Sequence, residues 1–147
     1  MWGGVFLNIC KVFYSEWEMA CCGVPFKIRD TINWIVSKCE DDMFSGDYGV
    51  SIVDKKDIDY SYDEHSNDLE RLYKLNGIVV EIQAIHYKFE QSKNSQYMIR
   101  TSGVLIKENS AGFGEEQKID GMGIDAYYIT LDLISVVPAQ KSDVTYK

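Results

Sequence analysis

Residues Tyr14 to Trp34 read Y-S-E-W-E-M-A-C-C-G-V-P-F-K-I-R-D-T-I-N-W, a stretch with two of the three tryptophans, the adjacent Cys21 and Cys22, and a Gly23/Pro25 corner. Gly23 admits backbone angles that other residues avoid, while Pro25 fixes its own φ and pushes Val24 into an extended conformation. The chain turns there. Beyond the corner, Phe26, Ile28, Ile32, Trp34 and Val36 fall on one side, and Lys27, Arg29, Thr31, Asn33 and Ser37 on the other. Period-two alternation of this length predicts a strand or hairpin with one buried face. Asp30 is the one charge on the apolar side, so Arg29-Asp30-Thr31 is read as a bend between two shorter strands. Before the corner the chain is read as extended, with Trp17 and Met19 on one face and Glu16, Glu18 and Ala20 on the other.

The run Trp17-Glu18-Met19-Ala20-Cys21-Cys22-Gly23-Val24-Pro25-Phe26, with Asp30 and Trp34 after it, resembles the signature of an uncharacterised family of small bacterial proteins. That signature carries Trp-x-Met-x-Cys-Cys-Gly-x-Pro-Phe, then a Gly-Asp pair and a Trp. Arg29 stands where the signature has its Gly. The likeness is dense over these residues and looser over Ile78 to Phe89, and it implies membership without implying an activity.

Working outward, a chain of 147 residues is one domain by length, large enough to bury a core without staples. With 46% hydrophobic and 13% aromatic residues and two prolines, its composition is that of a globular protein. Val5 to Val12 is interrupted by Asn8 and Lys11, so neither a signal peptide nor a membrane span is expected, and the protein is read as cytoplasmic. Four cysteines in such a chain are read as reduced thiols, with Cys10 a small buried hydrophobe. A vicinal Cys21–Cys22 disulfide would be a strained ring. A metal site from Cys21, Cys22, Cys39 and His65 or His86 lacks the paired ligand spacing of structural zinc. Neither a metal nor another cofactor is assigned.

Residues 4–14 are rich in strand formers and apolar on both faces, which predicts a central strand. Asp68 to Leu75 is read as the one short helix, capped by Ser66 or Asn67, with Leu69, Leu72 and Tyr73 as its stripe and Asn76-Gly77 as its stop. Ile78 to Phe89 is the strongest strand: Ile78, Val80, Ile82 and Ala84 alternate, then the apolar phase moves to Ile85, Tyr87 and Phe89, as a β-bulge would make it. It forms a hairpin with Tyr97 to Lys107, in which Gly103 marks a kink. Ala111 to Asp125 holds Gly112, Gly114, Gly121 and Gly123 with Glu115, Glu116 and Asp120; lacking Gly-Lys-Ser/Thr, it is read as a flexible connection. Tyr127 to Val137 is the closing strand. The fold class is therefore mainly β, a small curved sheet or barrel, OB-like or SH3-like, of five to six strands with one short helix. One domain is expected over residues 1–138, with an acidic insertion at 40–70 and a flexible tail at 139–147.

Eleven acidic residues lie between Glu40 and Glu70 against Lys55 and Lys56, so this segment carries −9 of a whole-chain charge of −8. Tyrosines are interleaved with the acids. Asp57, Asp59, Ser61, Asp63 and Asp68 fall at calcium-loop spacing, but Tyr62 occupies the position that needs Gly. With no basic stripe, duplex nucleic acid is not an expected ligand. Two functions follow. The first is a non-enzymatic module that docks a basic protein partner through Tyr48, Asp57, Asp59, Tyr60, Tyr62, Asp63 and Glu64, as an inhibitor or immunity factor would. The alternative is a small-ligand or metal pocket, enzymatic or not, where Trp17, Glu18, Cys21, Cys22 and Trp34 meet, with His86 a further contact.

Overall fold

The computed structural model describes residues 8–38, 49–64, 66, 68–93 and 97–144. Its strands are β1 (Ile9–Ser15), β2 (Phe26–Lys27), β3 (Thr31–Ser37), β4 (Tyr60–Tyr62), β5 (Leu72–Gln91), β6 (Met98–Glu108), β7 (Ser110–Ala111) and β8 (Gly123–Pro138), with one α-helix, α1 (Glu16–Cys21). Neighbours in the main sheet run β3-β4-β1-β8-β5-β6, and β5 also pairs with β3, so five strands close into a ring. Only β1 and β4 pair in parallel; the other pairs of the ring are antiparallel. Entered at β5, the ring is a meander (β5, β8, β1), a helix (α1) and a hairpin (β3, β4) whose last strand lies parallel to the last strand of the meander. That is the layout of an OB-type Greek-key barrel begun at its third strand, with β6 and β7 inserted between the first two.

β5 makes this closure possible. Its first part, Leu72 to Ile78, runs between β3 and β8; from Ile82 to Gln91 its partner on the β3 side becomes β6. Extra residues at Val80 in β5 and at Asp125 and Ile134 in β8 shift the register and let the sheet curve. The inner face collects Cys10, Val12, Tyr14, Phe26, Trp34, Val36, Leu75, Val79, Ile82, Ile129 and Leu131, all buried. At its centre the Tyr14 ring stacks on Tyr62 at 3.8 Å and meets Trp34 edge-on at 5.4 Å. Phe26 meets Trp34 at 5.0 Å. The Gly23/Pro25 corner thus delivers two rings to the barrel interior, and a Cβ on Gly23 would collide with the Tyr14 hydroxyl.

Several expectations are corrected. Residues 68–75 are not a helix: a 3-10 turn at Leu69–Arg71 leads directly into β5, where Leu72 and Leu75 are almost fully buried. A helix of eight residues has little stability of its own, and pairing with β3 and β8 outweighs its caps. Gly77, read as a stop, sits inside β5 against the Leu131 side chain and the Asp132 carbonyl. The helix lies instead at Glu16–Cys21, where an extended segment was expected: the Ser15 hydroxyl accepts the Glu18 N–H at 3.3 Å as its N-cap. Along β5, Val79 is the inward residue and Val80 the exposed one, because Val80 is the bulge. Ile85 and Tyr87 are buried without any change of phase, since a second cluster covers the outer face there.

That cluster joins Val53, Ile58, Ile85, Tyr87 and Ala126, with Phe13, Ile52 and Tyr128 packed on it. The segment 52–58 is laid across the outside of the barrel wall. Ile52 N–H donates to Tyr87 Oη at 3.1 Å, and Tyr128 O–H to the Asp57 carbonyl at 2.9 Å. After Pro138 the chain stays attached, with Ala139 buried and its N–H donating to the Leu72 carbonyl at 3.0 Å. No helix among the described residues is long and apolar enough to cross a membrane.

Candidate functional site

In β5, Ile82 and Ala84 point into the core, and His86 is the next inward position at the barrel's end. It lies between Val104 of β6 and Ile124 of β8. Only 1% of its surface is exposed, and neither Nδ1 nor Nε2 has a hydrogen-bond partner among the described residues. Burial lowers its pKa, and the nearby Glu108 carboxylate opposes that shift without cancelling it. The ring is held in the neutral form, with one N–H and one lone pair to offer.

His86 forms the floor of a cavity of about 840 Å³. Glu16 from the start of α1 and Tyr127 from β8 make its walls, and Glu116, Lys118 and Asp120 come from the glycine-rich loop after β7. The loop is held rather than loose. Glu116 Oε1 accepts the Gly112 N–H at 2.7 Å and the Tyr127 O–H at 3.4 Å. Gln117 N–H donates to Glu108 Oε2 at 3.0 Å, and its amide Nε2 to the Lys107 carbonyl at 3.1 Å. Gly112 has φ 87°, and a Cβ there would come within 2.6 Å of Met19 Sδ, so the loop closes onto α1 only with glycine at that position. Burial raises the Tyr127 pKa, with Glu116 and Glu16 adding to the effect, which keeps its hydroxyl protonated.

The residues expected to form one pocket occupy separate places. Trp17, 62% exposed, and Glu18, buried, line a groove of about 350 Å³ with Tyr62, Asp63 and Arg71. Trp34 is buried and borders another, of about 300 Å³, with Pro25, Asp30 and Glu64. Tyr62 borders both. Cys21 is exposed and Cys22 half-buried at the end of α1, and Cys10 is a buried free thiol. Burial pushes the Cys10 thiol up to about 12. His86, expected as a further contact of that pocket, belongs to the third cavity. Among the described residues no group of three or more His, Cys, Asp and Glu is placed to hold a metal ion.

Of the acidic docking residues, Tyr48 lies outside the described residues. Asp57, Asp59 and Glu64 are exposed and Asp63 is half-buried. The tyrosines turn inward: Tyr62 is 5% exposed within the core, and Tyr60 packs on Tyr73 at 5.8 Å. Asp59 Oδ2 accepts the Lys11 N–H at 2.9 Å, tying the acidic segment to β1.

Sequence reading missed Glu16, Glu116, Lys118, Asp120 and Tyr127 as neighbours of His86. The cluster of four glycines with three acids was the available signal; Glu16 and Tyr127 reach the cavity from elements that no spacing in the sequence connects to it. No curated protein and no solved structure matches the chain. A protein-family model matches residues 8–132.

Proposed function

The chain belongs to the family of unknown function DUF6578, and from that premise, which supplies no activity, we propose that it binds a small molecule in the cavity over His86. The observation that carries this reading is the imidazole: it is buried, neutral, and unpaired at both nitrogens among the described residues. An unsatisfied buried polar group costs about 1–3 kcal/mol, so such groups are rare and call for a bonding partner. A ligand seated on the cavity floor supplies one. The volume fits as well, since ligand pockets typically span roughly 300–1,000 Å³. This keeps the class of function expected from the Trp17–Trp34 corner but places its pocket at the far side of α1, against Glu16.

Native mass spectrometry beside denaturing mass spectrometry tests it, on protein purified without chelator. The expected result is an added mass that disappears on denaturation and is missing from His86→Leu. Bare chain mass in both variants overturns the reading. His86→Leu is also expected to be more stable than the parent, because it removes two unpaired nitrogens.

A second reading, docking of a basic protein as an inhibitor or immunity factor, draws support from the exposed carboxylates of Asp54, Asp57, Asp59, Glu64, Asp68 and Glu70. Their field would steer a positively charged partner. Reversing Asp57, Asp59 and Glu64 to Lys is expected to abolish capture of that partner from the native host; unchanged capture sinks it. Under either reading a bacterial cytoplasm is the expected setting.

A further inference from the structure

We propose that the ligand of the His86 cavity is a small organic cation, an amine, amidine or guanidine carried on an apolar body. The inference rests on the pocket reading above and names its substrate class.

The cavity presents acceptors and few donors. Glu16, Glu116 and Asp120 line it against Lys118 alone. Two of the donors near it are already used: Tyr127 O–H and Gly112 N–H both go to Glu116. The neutral His86 ring, buried at the floor and without a hydrogen-bond partner among the described residues, adds one lone pair. A cationic head with several N–H groups satisfies carboxylate and imidazole together, through charge-assisted bonds of about twice the strength of neutral ones. An anion would meet three carboxylates and would have Lys118 and a single imidazole N–H to hold it. Gln117, Gly114, Gly121 and Gly123 also line it, and Ile119, Met122 and Ile124 supply an apolar wall for the rest of the molecule.

Charge selection also fixes the pH dependence. The charge that acts on the His86 ring is Glu108 of β6, and the other titratable groups lining its cavity are Glu16 from α1, Glu116, Lys118 and Asp120 from the loop, and Tyr127 from β8. Protonating His86 removes its lone pair and adds a like charge, so affinity for a cation declines as pH falls into the acid range.

The test uses three probes of one shape and different charge: benzamidine, benzamide and benzoate, titrated at neutral pH by calorimetry and by histidine-ring NMR. The chain has two histidines, so His65→Gln assigns the His86 signals. Expected are binding of benzamidine with a shift of the His86 resonances, benzamide at least about 10-fold weaker, and no binding of benzoate. Glu16→Gln and Glu116→Gln, with unchanged circular dichroism, are each expected to weaken benzamidine roughly 5- to 10-fold. Benzoate or benzamide binding as well as benzamidine overturns the cation class and leaves the pocket standing. A retained native mass with no benzamidine binding does the same. No binding of any probe and no retained mass overturns both.

Discussion

Arg29 holds φ at 80°, the only non-glycine among the described residues with a positive value. The turn it makes is tight and fully bonded, with Arg29 N–H on the Val79 carbonyl and Asp30 Oδ2 accepting the Lys27 N–H. This geometry is one that glycine adopts without cost, and the left-handed region strains a residue with a Cβ. Arg29→Gly is expected to stabilise the protein by about 1 kcal/mol, a rise of about 2–4 °C in thermal midpoint. An unchanged or lower midpoint would mean that the exposed arginine makes a compensating contact. Gly103 is the opposite case. A Cβ there would lie 2.7 Å from the Tyr87 ring, which crosses this glycine from the neighbouring strand. Gly103→Ala should cost about 1–3 kcal/mol in denaturant unfolding, and trimming Tyr87 to Leu in the same chain should recover part of it. His86 carries an acid-side signature. Its folded pKa is lowered below 6.5, so the stability it contributes is present above that pH and is lost as pH falls through the folded value. An NMR midpoint below 6.5 is expected; a midpoint above it would show the ring paired with a carboxylate.

Elements in this protein are decided by what they pack on. α1 has only six residues, yet Ser15 caps it and Met19 anchors it under Gly112. The Ser15-Glu16-Trp17-Glu18 spacing is that of a capping box, a helix signal that the extended reading of this segment left out. The segment 52–58 has little regular structure, but Tyr87 and Tyr128 fasten it to the barrel by one hydrogen bond each. Each such bond is worth about 1 kcal/mol. In the double variant Tyr87→Phe and Tyr128→Phe, amide exchange over 52–58 should accelerate by roughly 10-fold or more while β1 and β8 keep their protection. Equal acceleration across the barrel would show that the segment and the wall open as one unit.

For the whole molecule, the aromatic core sets the alkaline limit. Burial raises the pKa of Tyr14, Tyr62 and Tyr127, and raises Cys10 from 9.0 to about 12. These groups are neutral when protonated, so their contribution is complete below their unfolded values and is lost as pH rises towards the folded ones. Stability should be level to about pH 9 and then fall by up to about 1.4 kcal/mol per pH unit for each group, Cys10 first and the tyrosines from about pH 10. Denaturant midpoints between pH 8 and 11 check this, and Cys10→Ala should flatten the first part of the fall. Much of the barrel was legible in the sequence. The alternation from Phe26 to Val36, the antiparallel pair of β5 with β6 and the closing strand all stand, because period-two burial is a local property that the chain states directly. The helix at 68–75 did not stand, because a short helix is weak by itself and two flanking strands that only tertiary structure brings alongside outweigh it. The sequence by itself determined a mainly β domain, the corner that feeds Phe26 and Trp34 inward, and an acidic segment against a near-neutral remainder. Tertiary structure alone decided that β5 closes the ring with β3, that segment 52–58 covers the outer wall, and that Glu16, His86, Glu116 and Tyr127 share one cavity. The physical reason is separation along the chain: those four residues lie on a helix, a loop and two strands, and only closing the barrel brings them together.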